Sequence, residues 1–168
     1  MLPVYIPLPF LDKSINTFEI PITWQIPTII LLTLIFNREV LFRAFSLYIF
    51  LGLFIFPVFH QGGSIGYLLT PNFGYLLGIY PLINIIDNLN ERKKINVGNF
   101  LKNGVIAIGA MHLTGIFYNF IQVIFYSELN LFLYNLGKYS LGKIGYHFLM
   151  LLPLLLLIYP IKRLKYSK

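Results

Sequence analysis

The chain has 168 residues, 57% of them hydrophobic, 17% aromatic and only 11% charged. An ordinary soluble domain carries about 25% charged residues, so these charges are too few to clothe a globular surface in water. The 13 Lys and Arg against 6 Asp and Glu sit in short clusters beside long apolar runs. With no interleaved basic–aromatic stripe, that excess reports membrane orientation rather than a nucleic-acid partner. The absence of cysteine excludes disulfides, thiolate metal sites and cysteine catalysis.

In chain order, residues 1–22 form an outer-face segment or lid, broken by prolines at 3, 7, 9 and 21, ahead of a helical membrane domain over 23–168. Five apolar spans are predicted at about 23–36, 40–56, 73–86, 100–126 and 144–161. The first is short for a ~20-residue crossing. The third ends in the polar run 87–94, and a loop of mixed character at 127–143 leads to the fifth. Runs such as Ile29-Ile30-Leu31-Leu32 and Leu154-Leu155-Leu156-Leu157 are apolar all round and do not alternate, which favours helices over barrel strands. The fold class is therefore an all-α integral membrane protein, a bundle of about five transmembrane helices.

Lys and Arg supply the orientation. Arg38 and Arg43 follow the first span, Arg92, Lys93 and Lys94 the third, and Lys162, Arg163, Lys165 and Lys168 the fifth, while the connection after the second span has none. The connection after the fourth span carries Lys138 and Lys143. Alternation of rich and poor connections puts the C-terminus in the cytoplasm of a multi-pass protein of the cell membrane, and residues 1–20, 60–72 and 127–143 on the outer face. The first twenty residues have no basic stretch followed by an apolar run, so they are not a signal peptide. One further helix ahead of Met1 would place both ends inside and give six spans.

Irregular backbone at membrane depth is tolerated where it is buried or lines a cavity. The stretch His60-Gln61-Gly62-Gly63-Ser64-Ile65-Gly66-Tyr67 is thus either a ligand wall or a plain Gly-rich turn. Asn84, Asn103, His112, Thr114 and Asn119 are polar residues inside spans, where burial is costly. His112, Gly115 and Asn119 share a helix face that either lines a cavity or glues helices together, and Asn84 and Asn103 favour glue. Trp24, Tyr67, Tyr75, Tyr80 and Tyr118 suit either ring stacking or an interfacial belt. No two histidines stand at i, i+3 or i+4, and all six acids flank spans or lie in loops. Neither a helical two-histidine metal site nor a catalytic carboxylate pair is expected, and no phosphate loop follows Gly62-x-x-x-Gly66, so the chain itself does not hydrolyse ATP. No cofactor is expected and the protein is not read as an enzyme.

The run from Phe56 to Tyr67, followed by Thr70-Pro71-Asn72-Phe73-Gly74-Tyr75-Leu76-Leu77-Gly78, resembles the BioY family, in particular its cyanobacterial-looking members. Pro71, Gly74, Tyr75, Leu76 and Gly78 match the family's Gly-Pro-Thr-Gly-Gly-Tyr-Leu-x-Gly-Phe motif, while Thr70, Asn72, Phe73 and Ile79 depart from it. Trp24-Gln25-Ile26-Pro27 resembles the start of the family's second helix, and Tyr139-Ser140-Leu141 the approach to its last.

The resemblance implies a six-helix S component of an energy-coupling factor transporter, here with the first helix missing. It implies biotin or a similar small vitamin bound near the outer face, with a transmembrane T component and ATPase subunits as partners in trans. Gln61, Gly62, Asn72, Gly74 and Tyr75 would line the pocket, with Trp24 and Gln25 below the lid and His112 and Asn119 facing it from the fourth span. The family's last helix begins Pro-Gly-Asp-x-x-Lys, its Asp and Lys touching biotin; here Tyr146 stands at the Asp position and Leu149 at the Lys position. Lys143 or His147, which flank the vacated positions, would then take the ligand's carboxylate. The alternatives are an S component for a different small vitamin and a non-transporting membrane scaffold.

Overall fold

The computed structural model describes residues 4–8, 16–20, 24–59, 63–91, 96–126 and 129–166. A two-stranded antiparallel hairpin comes first, β1 (Val4–Leu8) against β2 (Asn16–Ile20), with Val4 opposite Ile20. Prolines obscure its alternation in the sequence; among the described residues, every regular element after it is helical.

Helix α1 (Gln25–Ile35) carries Pro27 in its first turn, where the missing N–H leaves no bond unmade. The chain extends at Asn37 and re-enters α2 (Arg38–Phe54), which stops ahead of Pro57. A 3-10 turn (Ile65–Leu69) leads into α3 (Pro71–Leu77), with Pro71 at the first helical position. After a break at Gly78 comes α4 (Ile79–Glu91). Helix α5 (Val97–Tyr126) has 30 residues and reaches about 45 Å, more than a ~30 Å hydrocarbon core. Then α6 (Leu129–Asn135), a π-helical turn (Leu136–Leu141), α7 (Gly142–Leu149) and α8 (Leu151–Tyr166) follow nearly end to end.

Two sequence-based expectations change here. Residues 129–143 are helical rather than an irregular outer loop, because Leu131, Phe132 and Leu133 extend the apolar pattern backwards from the last span. Asp87 lies within α4 and is buried, so this acid does not flank its span.

Among the described residues, two helical stretches are long and apolar enough to cross a membrane, Val97–Phe125 and Leu129–Ile158; Gln25–Ile35 is apolar but shorter. The outward faces are greasy as well as the inward ones, with Phe125 and Leu156 each 78% exposed. Water would make that surface aggregate, whereas lipid makes it an ordinary boundary.

The packing falls into two apolar clusters. One joins α1, α4, α5 and α8 through Ile30, Leu34, Leu82, Phe100, Ile108 and Leu154. The other joins α2, α3 and α4 through Leu41, Phe45, Phe73 and Ile83. Polar bonds tie helices across them: Arg38 Nη1 donates to Asn84 Oδ1 at 2.8 Å, and Ser46 and Tyr80 share a hydroxyl bond of 2.7 Å. Asn84 is thus helix–helix glue. The exposed Arg43–Glu39 pair at 3.9 Å contributes little.

Candidate functional site

Helix α3 meets α5 where both present small residues. The Cβ position of Gly74 is occupied by Tyr118, that of Gly115 by the ring of Tyr75, and that of Gly78 by the backbone of Met111. Backbones this close press the Tyr75 side chain between the helices and leave His112 on the same inner face.

A cavity of about 40 Å³ opens between the two apolar clusters. It sits at the end of the bundle where α1, α3 and α7 begin and α2 ends. Ile26 and Met111 of one cluster and Phe59, Leu76 and Ile79 of the other form its apolar wall. Tyr48, Phe59 and Tyr67 make an aromatic side: Phe59 stacks on Tyr67 with centroids 4.4 Å apart and meets Tyr48 edge-on at 5.4 Å. Phe59 fits because Gly52 leaves room for its ring. Burial, with smaller contributions from Tyr48 and Tyr139, pushes the Tyr67 phenol up to about 12, so it stays neutral.

Into this wall project Gln25, Asn72, Tyr75, His112, Lys143 and His147, six side chains singled out from the sequence. The Tyr75 hydroxyl bonds Ser140 Oγ at 2.6 Å, and Ser140 Oγ lies 3.3 Å from His112 Nδ1. On the other edge of the same ring, His112 Nε2 is 2.9 Å from His147 Nδ1. Four buried polar groups thus form a continuous line, and it ends at His147 Nε2, which has no partner. Lys143 sits one helical turn before His147 with its ammonium 5.5 Å from the centroid of Tyr139. The described lining contains no carboxylate, so the site's electrostatic character is set by one ammonium among aromatic and amide groups. The described residues hold no group of three or more metal-ligating side chains either.

The other predicted site residues fall elsewhere. Trp24 is 58% exposed and borders an apolar side groove with Leu41 and Phe45, which shares Gln25 and Tyr48 with the cavity. Gly74 faces Tyr118, and Tyr146 stands outside the wall. Asn119 bonds its own helix at Gly115 O, 2.9 Å, and borders a second hollow with Gln122 and Asn135, while its side chain also reaches Tyr75. Gln61 and Gly62 lie outside the described residues. Tyr48 and Met111 could not be found as wall residues from spacing, nor Ser140 as the partner of Tyr75, since each is brought in by a different helix.

A helical membrane body enclosing an aromatic cavity with a polar end defines the class, an integral membrane protein. The model of the BioY family matches residues 4–152, and the chain belongs to that family. It is similar to a probable biotin transporter BioY of Lysinibacillus sphaericus, 37% identical over 73 residues, a stretch covering 44% of this chain and 37% of that protein. The shared region thus spans little more than a third of that relative's length. No solved structure matches the chain.

Proposed function

We propose that the chain is the substrate-binding S component of a vitamin uptake transporter, that its ligand is biotin, and that the cavity beside Lys143 is the binding site. The observation that carries this is the composition of the wall: aromatic rings for an apolar body, the Gln25 and Asn72 amides for a polar ring, and one ammonium for a carboxylate. Family membership and the similarity to a protein named as a biotin transporter support biotin in particular. A transmembrane T component and ATPase subunits in trans supply the energy, and the protein binds and delivers rather than catalyses. Its place is the cell membrane, crossed several times, with the C-terminus in the cytoplasm; the clustering of Lys and Arg supports that orientation.

Saturable binding of labelled biotin by the purified protein is the expected result, and no measurable affinity overturns the reading. Replacing Lys143 with Ala leaves the carboxylate without its ammonium in a desolvated site. A loss of about 3 kcal/mol, on the order of a hundredfold in Kd, is expected.

A second reading, an S component for a different small anionic vitamin, is favoured by Tyr146 and Leu149 at the positions of the family's Asp and Lys. Native mass spectrometry of the purified protein separates the two by the mass of the ligand it retains.

A further inference from the structure

The line of buried hydrogen bonds from Tyr75 to His147 has a direction. Tyr75 lies between Ser140, 2.6 Å from its hydroxyl, and Asn119; since a phenol gives up its proton to a hydrogen bond more readily than an alkyl hydroxyl, we take Tyr75 as the donor to Ser140 Oγ. The Ser140 hydroxyl proton is then free to point at His112 Nδ1, 3.3 Å away, which accepts it. A neutral imidazole with Nδ1 accepting carries its proton on Nε2. That proton is donated to His147 Nδ1 across 2.9 Å, and His147 in turn carries its own on Nε2. This last atom is buried and unpartnered, in a side chain that is only 4% exposed and belongs to a residue lining the cavity. A buried donor without an acceptor is costly, and filling the cavity with an acceptor removes that cost.

We infer that the Tyr75–Ser140–His112 relay fixes His147 as an Nε2–H donor aimed into the cavity, and that His147 with Lys143 clamps the carboxylate of the bound ligand. Lys143 and His147 lie four residues apart on α7, so an ammonium and an N–H donor face the cavity from adjacent turns. One charge and one directional bond suit the two oxygens of a carboxylate. Tyr75, Ser140 and His112 are positioning residues, since they act through His147. This inference rests on the cavity being a carboxylate-ligand site, and its readouts are chosen to be separable from that reading.

The test compares biotin with biotin methyl ester, whose carboxylate is masked, on the full-length protein purified in detergent. Wild type is expected to prefer biotin. His147→Phe keeps a ring but removes the donor, and is expected to weaken biotin about ten- to a hundredfold while barely changing the ester, so the preference narrows. His147→Gln, which can place a side-chain N–H near the Nε2 position, is expected to restore most of it. An unchanged preference in folded His147→Phe or His147→Gln protein overturns the clamp.

The relay is read separately by 15N NMR of histidine-labelled protein, where three histidines allow assignment by substitution. His147 is expected as the Nε2–H tautomer without ligand, and Ser140→Ala is expected to give a mixture of tautomers. An Nδ1–H tautomer at His147 overturns the relay even if biotin binds. Wild-type protein that binds neither compound overturns the biotin reading and the clamp together, while the tautomer measurement still decides the relay.

Discussion

Gly115 has no space for a methyl group, because the ring of Tyr75 already fills it. Gly109, six residues earlier on the same helix, has nothing within 4 Å of the position a Cβ would take. The two glycines therefore predict opposite outcomes for one substitution. Gly115→Ala forces Tyr75 off Ser140 and is expected to lower stability by about 1–3 kcal/mol and to weaken ligand binding. Gly109→Ala gains helix propensity and is expected to be neutral or up to about 1 kcal/mol stabilising. Thermal melts in detergent rank them, and the reverse order would contradict the packing. By sequence alone the two are alike, small residues within one apolar run. Only the crossing of α3 over α5 tells them apart.

At the scale of elements, the segment from Gly63 to Thr70 is held more firmly than a Gly-rich connection usually is. Ser64 N–H donates to Gly52 O at 3.2 Å, the Tyr118 hydroxyl donates to Leu68 O, and Gln122 Nε2 donates to Leu69 O at 2.9 Å. This anchoring keeps Tyr67 stacked on Phe59 in the aromatic wall. It costs backbone strain: Ser64 has φ 139° and ψ 169°, a region almost confined to glycine. Ser64→Gly removes a strain of about 1–3 kcal/mol and adds back part of it as unfolded-chain freedom, so a net gain of about 1 kcal/mol is expected as a raised melting temperature. A lowered one would mean that the serine side chain contributes more than its backbone costs. The strained residue was visible in the sequence as part of a motif, but its φ was not. The π-helical turn Leu136–Leu141 was hidden in the same way: a tract reading as a loop of mixed character is helical, and the wider turn carries Tyr139 to the cavity and Ser140 to Tyr75.

For the whole molecule, the testable matter is direction across the bilayer. Because the chain contains no cysteine, one introduced cysteine is the only thiol a membrane-impermeant maleimide can meet. In intact cells Ser127→Cys is expected to label from outside, and Lys168→Cys only after the membrane is opened. The opposite pattern would invert the proposed orientation and place the cavity mouth on the cytoplasmic side. The same scale explains the apolar exterior. With Leu113, Phe117 and Ile124 projecting from α5, transfer to lipid rather than burial inside the protein satisfies this helix.

By itself the sequence determined what depends on composition and short spacing. Scarce charges and all-round apolar runs demand lipid and helices, and basic clusters suggest a direction. His112 could be nominated as a polar side chain inside a span, where burial is costly, and Gln25, Asn72, Tyr75, Lys143 and His147 through the resemblance to the BioY family. The tertiary structure alone decided which of them meet. His112 and His147 are 35 residues apart, and Tyr75 and Ser140 are 65 apart, so no helical period relates them. Their bonds exist because α3, α5 and α7 converge, and convergence is set by which glycines admit which rings. Periodicity along one helix carries no information about the register between two, and so the polar relay belongs to the packing.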